Sequence, residues 1–362
     1  MFKKVTKEFI FNYQPHFHSN FHFQPHILRI LLFALLLYAC QTEKAEQQVA
    51  FYHWKTKFQV DSLEQSFLDS LAVQKLYLKF FDVDWNTTYQ QPTPSASIVW
   101  DAAAWNAMEI VPTVFITNQT FKNITAEQIP QFAEQVQQKL KKLADSHTFQ
   151  EIQIDCDWTQ STREQYFQFL SQLKAYFPRQ TLSATIRLHQ IKYPEQTGIP
   201  PVDRGMLMYY NTGEIGVWKS ENSIYEAATA ALYIDALEDY SLDLDVVLAL
   251  FHWGLVFRDD DLFKIVNNLS EDQLTNTIRF RKIADNRYKV VRNTFLKGHY
   301  LYAGDLIRLE RIQPKDVQDM AAQLSNRLSK TSRTLAFYHL DATVLKNWAV
   351  ADLKTVLRQF DD

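Results

Sequence analysis

Eight short apolar runs recur along the chain from residue 49 onward, and amphipathic stretches separate most of them. Apolar runs of this length predict β-strands, and the amphipathic stretches predict helices. The predicted strands are Val49–Trp54, Lys75–Phe81, Glu109–Ile116, Glu151–Trp158, Thr181–Leu188, Met206–Tyr210, Asp245–Trp253 and Arg333–His339. The clearest helices are Asp61–Leu71, Ala126–Ser146, Thr162–Phe177, Ser223–Tyr240, Pro314–Leu328 and Thr343–Phe360. Such alternation is typical of a mostly parallel sheet.

Eight strand–helix units in about 310 residues fit one α/β domain, a (β/α)8 TIM barrel. A doubly wound open sheet is the alternative fold. The absence of a glycine-rich phosphate loop disfavours it.

Two connections depart from the regular alternation. Prolines in His189–Gly205, after the fifth strand, exclude a normal helix there. Between strands 7 and 8 the pattern predicts an inserted β-hairpin, Tyr288–Phe295 with Tyr300–Glu310, which turns at Lys297-Gly298-His299.

The N-terminal stretch is similar to a bacterial lipoprotein leader. Lysines precede the apolar segment Ile27–Ala39, which is too short to span a membrane and ends directly before Cys40. Leu37 and Ala39 match the lipobox, in which the following Cys becomes lipidated. We therefore expect residues 1–40 to be a signal peptide ending at the lipidated Cys40, residues 41–48 a polar tether and residues 49–362 the barrel. The alternative is cleavage elsewhere, which leaves Cys40 as a free thiol.

A lipid anchor predicts a place in the envelope of a Gram-negative-type bacterium, on the periplasmic face of the outer membrane or at the cell surface. The lipid would then be the only membrane contact. The formal net charge is −3, and no basic stripe with interleaved aromatic residues is present, so we expect no nucleic-acid partner. The only other cysteine is Cys156, which could form no intramolecular disulfide once Cys40 is acylated.

The fourth predicted strand ends in two carboxylates. Asp155, Asp157 and Thr159 share one strand face with Gln153, because side chains alternate along a strand. Two buried carboxylates on an apolar strand are costly unless they serve a function. Functional residues of such barrels lie at the carboxyl ends of the strands. The other strand ends offer His53, Trp54, Asp82, Asp84, Trp85, Arg187, His189, Tyr209, Tyr210, Asn211, His252, Trp253, Arg258, His339 and Asp341.

Metal and serine-nucleophile chemistry have little support in the sequence. The four strand-end histidines lie on four different strands, without an H-E-x-x-H or Cys-x-x-Cys pattern, so we predict no metal. A G-x-S-x-G nucleophile elbow is absent, which argues against an α/β-hydrolase. We expect no cofactor.

The stretch Ile154-Asp155-Cys156-Asp157-Trp158 resembles the fourth-strand signature D-x-x-D-x-D-x-E of family 18 glycoside hydrolases, the chitinases and their relatives. Asp155 and Asp157 match its second and third acidic positions, whereas Ile152 and Thr159 replace the first and last. Met208-Tyr209-Tyr210-Asn211 resembles the sixth-strand M-x-Y-D/N of that family. A closer likeness is to a family of secreted or lipid-anchored bacterial barrel proteins with an I-Q-I-D-x-D fourth strand and no established activity.

These resemblances imply a barrel that hydrolyses or binds an extracellular or cell-envelope glycan. Asp157 would be the acid/base, Asp155 would tune it, and Tyr210 would orient the sugar or its N-acetyl group. The alternatives are a non-catalytic carbohydrate-binding barrel that lost its acid at Thr159, and a structural envelope lipoprotein. The expected substrate-binding residues are His53, Trp54, Asp82, Asp84, Arg187, His189, Asn211 and Trp253.

Overall fold

A computed structural model describes residues 47–105, 107–145, 147–328 and 333–360. The predicted leader, Cys40 and most of the predicted tether lie outside these residues. The first strand begins at Gln47, two residues before the predicted barrel boundary, so Gln47 and Gln48 belong to the barrel and not to a tether.

The central element is a closed ring of eight parallel strands. The first strand pairs with both the second and the last, which closes the ring and confirms the predicted barrel. The ring strands are β1 (Gln47–His53), β2 (Lys75–Asn86), β4 (Glu109–Ile116), β5 (Glu151–Asp155), β6 (Thr181–Arg187), β7 (Arg204–Met208), β8 (Leu244–Ala249) and β16 (Arg333–Tyr338). Strand β3 (Gln91–Ser95) pairs antiparallel with the far half of β2, outside the ring.

Helices cover the ring, because the outward residues of each strand are apolar and need a packing partner. The helices are α1 (Ser62–Ser70), α2 (Asn118–Asn123), α3 (Ile129–Ala144), α4 (Arg163–Tyr176), α5 (Leu188–Lys192), α6 (Pro194–Thr197), α7 (Ala227–Ile234), α8 (Pro314–Ser325), α9 (Ala342–Leu345) and α10 (Val350–Arg358). Only the short α5 and α6 follow β6, as the prolines of that connection predicted.

The interior of the ring is polar along β5. Tyr52 of β1 donates a hydrogen bond across the barrel to Gln153, with a distance of 2.6 Å between Oη and Oε1. Ile152 and Ile154 alternate with these inward residues and are buried towards the helices.

A network of ion pairs closes the amino-terminal end of the barrel. The Lys75 Nζ atom lies 3.0 Å from Glu109 Oε1 and 3.1 Å from Glu151 Oε2. Arg204 holds Asp245, with 2.9 Å between Nη2 and Oδ1. Lys75, Glu151 and Asp245 can be buried because each of these charges has a partner of opposite sign.

Three predicted boundaries were wrong. Strand β2 continues to Asn86, because its far half gains β3 as a partner. Strand β5 ends at Asp155 and not at Trp158. The predicted seventh strand is two strands: β8 ends at Ala249, and a new strand begins at His252 in a different sheet.

The insertion between β8 and β16 is larger than the predicted hairpin, which it contains. It forms a five-stranded antiparallel sheet in the order β10-β9-β15-β12-β11. The turn at Lys297 and Gly298 was predicted correctly, and both residues have the positive φ that a two-residue hairpin turn requires. The strands are β9 (His252–Arg258), β10 (Asp261–Asn267), β11 (Phe280–Ala284), β12 (Arg287–Val290), the hairpin β13 (Thr294–Leu296) and β14 (His299–Leu301), and β15 (Leu306–Arg311).

We predict that Gly254→Ala destabilises the protein by about 1–3 kcal/mol, because overpacking a filled core forces its neighbours to move. A Cβ atom at Gly254 of β9 would lie 2.3 Å from Cδ2 of Leu269, which is 1% exposed. Gly216→Ala is the matched control, since a Cβ there meets no atom within 4 Å. Urea denaturation measures the free energy of unfolding of both variants. Equal stability of the two would show that Leu269 does not pack on β9 as described.

Candidate functional site

Asp155 is the last residue of β5 and lies inside the carboxyl end of the barrel. It is 5% exposed, and Thr185 of β6 donates a hydrogen bond of 2.7 Å to its Oδ1 atom. Burial raises the pKa of Asp155 to about 6, although nearby Arg187 acts in the opposite direction. The carboxyl can therefore gain or lose a proton close to neutral pH.

Asp157 lies two residues further along, at the rim. Arg187, the last residue of β6, donates to both of its carboxylate oxygens, with 3.3 Å between Nη2 and Oδ2 in the longer bond. Burial alone would lower the pKa of Arg187, but Asp157, Tyr210 and Asp155 raise it above its ordinary value. The guanidinium carbon of Arg187 lies 5.8 Å from the centre of the Tyr210 ring. Asp157 and Arg187 thus form a planar, two-hydrogen-bond ion pair at the rim.

Aromatic side chains form one wall of the mouth. The Tyr338 ring centre lies 5.9 Å from that of Tyr210, 5.9 Å from that of Phe251 and 5.7 Å from that of Trp54. Trp54 and Tyr338 are partly exposed, so their rings are accessible from solvent. A wall of this kind offers flat apolar faces beside polar groups.

Lys79 and Asp82 of β2 form a second polar pair at the mouth. The distance between Lys79 Nζ and Asp82 Oδ2 is 2.9 Å, and Lys79 Nζ lies 5.7 Å from the Trp54 ring centre. The Oδ1 atom of Asp82 is buried and has no hydrogen-bond partner in the part of the chain that the structure describes. Buried acceptors without a partner are uncommon, so this half of the Asp82 carboxylate is unsatisfied where it lies beside Lys79.

Thr159 follows the two aspartates at the position where the family 18 signature has its final Glu. Its hydroxyl lies 3.0 Å from the Ser161 hydroxyl and 3.4 Å from the Thr162 hydroxyl. A threonine hydroxyl does not ionise at neutral pH, so Thr159 cannot donate a proton as a Glu carboxyl group does. Proton donation at this mouth must therefore come from another group.

The structure brings together six of the predicted residues: Trp54, Asp82, Asp155, Asp157, Arg187 and Tyr210. Five others take different positions. The buried His53 ring packs on Phe58 with 4.8 Å between ring centres, and both its nitrogens lack a partner among the described residues. The remaining four are Asp84, exposed where β2 pairs with β3; His189, exposed on α5; Asn211, exposed just after β7; and Trp253, within the insertion.

Trp253 was predicted at the end of a barrel strand, and this placement was wrong. It is the second residue of β9, and its indole nitrogen donates to Glu310 Oε2 at 2.7 Å. Its ring centre lies 5.0 Å from that of Phe251. Trp253 therefore anchors the insertion behind the mouth wall.

Sequence reasoning did not choose Lys79, Thr185, Phe251 or Tyr338 as site residues. A signal for Lys79 was present, since it is a lone charge inside the apolar run from Leu76 to Phe81. No sequence signal indicated Phe251, because the apolar run is continuous across the boundary between β8 and β9.

Two further searches concern the described residues only. No group of three or more His, Cys, Asp or Glu side chains in them is arranged to hold a metal ion. None of their helices is both long enough and apolar enough to cross a membrane.

No protein-family model matches the chain, and no curated protein matches it. Solved structures resemble the barrel. A chitinase from Chromobacterium violaceum has a TM-score of 0.53 at 12% identity, over 86% of this chain and 98% of that one. The Bacillus cereus spore cortex-lytic enzyme SleL has a TM-score of 0.51 at 13% identity, over 87% and 75%. A chitinase from Bacteroides thetaiotaomicron has a TM-score of 0.50 at 9% identity, over 87% and 97%.

At these identities the likeness shows the fold. The chain is a TIM barrel similar in fold to these chitinases and to SleL, which is the fold that the fourth-strand resemblance implied.

We predict that Asp155→Asn is more stable than the parent at pH 8 and converges with it near pH 4. The folded-state pKa of about 6 exceeds the value of about 3.9 for an unfolded Asp, so the folded protein binds this proton more tightly. The parent therefore loses stability as pH rises from about 4 to about 6, and above pH 6 the ionised carboxylate costs about 2–3 kcal/mol. Asn carries no charge and keeps an acceptor for Thr185.

Urea unfolding across this pH range measures the effect. Asp157→Asn is the control with the opposite expected sign at pH 8, because it removes the bidentate partner of Arg187. Easier unfolding of Asp155→Asn than of the parent at pH 8 would mean that the ionised Asp155 stabilises the fold.

Proposed function

We propose that the mouth of the barrel binds a glycan chain of the cell envelope or its surroundings. The observation that carries this proposal is the combination of Asp155, Asp157 and Arg187 with a partly exposed aromatic wall at the carboxyl end of the barrel. Aromatic faces stack on the apolar faces of sugar rings, and carboxylate and guanidinium groups hydrogen-bond to sugar hydroxyls. The solved structures similar to this barrel, chitinases and a spore cortex-lytic enzyme, favour a chain of N-acetylated amino sugars.

In this proposal Trp54 and Tyr338 stack on the sugar, and Arg187 with Asp157 fixes its orientation. Tyr210 is buried beside Arg187 and Tyr338, and in this proposal an N-acetyl group enters next to its ring. Its hydroxyl keeps its proton, because burial raises the pKa of Tyr210.

Binding without cleavage is the role that the mouth supports best. Thr159 cannot donate the proton that glycoside hydrolysis requires, and Asp157 is occupied by Arg187. Hydrolysis is the second candidate function, and one observation favours it. Asp155 has a pKa of about 6, which suits a group that must give up a proton near neutral pH.

We predict that the full-length protein binds chito-oligosaccharides or soluble peptidoglycan fragments, and that Trp54→Ala binds them at least about tenfold more weakly. Trp54 is partly exposed beside Tyr338, so its removal opens the wall without emptying the core. Isothermal titration calorimetry measures the dissociation constants. Tyr176→Ala is the matched control, because Tyr176 is 39% exposed at the end of α4, away from the mouth.

The same samples separate binding from hydrolysis. Binding with no release of new reducing ends supports a binding role. Release by the parent that is lost in Asp155→Asn would make the barrel a hydrolase with Asp155 as its acid. A parent that binds neither class of oligosaccharide, or a Trp54→Ala variant that binds like the parent, would contradict the proposal.

We also propose that the barrel is held in the bacterial envelope by a lipid on Cys40. The support is the sequence alone: an apolar segment ending in Leu37-Tyr38-Ala39 directly before Cys40. Two or more acyl chains on one terminus are enough to keep a protein at a membrane without a spanning helix.

We predict that Cys40→Ser releases the protein from the membrane fraction and abolishes labelling by a fatty-acid probe. Serine has no thiol to acylate, and the leader itself is otherwise unchanged. Fractionation and probe labelling of cells that express the parent and Cys40→Ser measure this. Cys156→Ser is the control, since Cys156 is buried in the barrel and should label like the parent. A Cys40→Ser protein that stays in the membrane fraction would show that the leader is a plain anchor.

A further inference from the structure

The insertion exposes a row of planar side chains, which we term the aromatic ladder: Phe263, Arg258, Tyr302, Tyr300 and Phe295. The exposed fractions of Phe263, Tyr302, Tyr300 and Phe295 are 45%, 50%, 41% and 68%. The Arg258 guanidinium carbon lies 3.8 Å from the Phe263 ring centre and 4.5 Å from that of Tyr302. Tyr300 continues the row, 5.2 Å from Tyr302 and 4.9 Å from Phe295 between ring centres.

A buried carboxylate holds the centre of the ladder in place. Asp305 is 4% exposed and accepts hydrogen bonds from Arg258 Nε at 2.9 Å and Nη2 at 2.8 Å. It also accepts the backbone N–H of Tyr302 at 2.8 Å. The guanidinium plane and the Tyr302 backbone are therefore fixed before any ligand arrives, which lowers the entropy cost of binding.

The exposure of the ladder is a consequence of strand alternation and is not needed for folding. Leu296 and Leu301 point into the small core of the insertion, while Phe295, Tyr300 and Tyr302 point outward. That core is complete without them, because Val256, Val290, Ile307 and their neighbours fill it. An exposed contiguous aromatic surface of this size is typical of a binding surface.

The charges around the ladder decide which partner it fits. The turn beside Arg258 carries three consecutive exposed carboxylates, Asp259, Asp260 and Asp261. Anionic lipid surfaces attract basic segments and repel such a turn. Carboxylates are acceptors for hydroxyl groups, and the rings beside them match the apolar faces of sugar rings.

We propose that the aromatic ladder binds an uncharged, hydroxyl-rich glycan polymer at a second site, made of residues other than those of the barrel mouth. Neighbouring rings meet edge to face, so a sugar stacks on the face of one ring and contacts the edge of the next. The carboxylates of the turn accept hydrogen bonds from the sugar hydroxyls. This site involves no mouth residue, so it goes beyond the proposed function and stands whether or not the mouth binds oligosaccharides.

The test is retention of the full-length protein on insoluble chitin and cellulose, which are both uncharged glycan polymers. We expect the parent to bind at least one polymer, and Tyr300→Ala/Tyr302→Ala to bind it about tenfold more weakly. Tyr300→Phe/Tyr302→Phe keeps both rings and should bind like the parent. Tyr176→Ala removes an equally exposed tyrosine elsewhere and should also bind like the parent. Circular dichroism melting confirms that each variant is folded.

Calorimetry with soluble oligosaccharides separates this site from the mouth, because the double alanine variant should titrate like the parent. Polymer retention that is equal in the parent and the double alanine variant would overturn the proposal, as would a parent that binds none of the polymers. Flotation of the parent with phosphatidylglycerol vesicles, lost in the double alanine variant, would assign the ladder to a membrane surface and overturn the glycan assignment.

Discussion

Every side chain of β5 that points into the barrel is polar, and the arrangement of the neighbouring strands depends on giving each of them a hydrogen-bond partner. Glu151, Gln153 and Asp155 succeed one another from the amino-terminal end to the mouth. Each is nearly inaccessible to water, and a buried polar group without a partner costs free energy that a marginally stable fold cannot spare. Neighbouring strands must therefore supply a partner at each level, which fixes their register.

The partners become fewer towards the mouth. Glu151 accepts from Lys75, Ser183 and Tyr77, and Gln153 is bonded to Tyr52 and Ser183. Among the described residues, the hydrogen bond to Asp155 comes from Thr185. Burial raises the pKa of Asp155 and of Glu151 alike, and at Asp155 the Thr185 hydroxyl offsets only a part of that effect. The raised pKa of Asp155 at the mouth thus arises from the same alternation of side chains that buries Glu151 at the closed end.

The sequence allowed prediction of the barrel and the position of the insertion, because period-2 alternation and helix patterns are local signals. It also located Asp155, Asp157, Arg187 and Tyr210, since strand ends meet at one edge of a barrel. The division between β8 and β9 was not predictable, because Leu250 and Phe251 continue the apolar run without a turn residue. The five-stranded sheet depends on pairings between residues far apart in the chain, such as Arg308 with Leu255, which no local pattern specifies.

The insertion has a core of its own, and β9 also contributes Leu255 and Phe257 to the core of the barrel. Its polar ties to the barrel run through β15, where Glu310 accepts a hydrogen bond from Ser223 and Arg308 donates to the backbone of Ile215 and Val217. Outward positions of the hairpin can therefore change during evolution with little cost to the barrel. The exposed surface of the insertion and the residues of the barrel mouth are therefore able to change independently of one another.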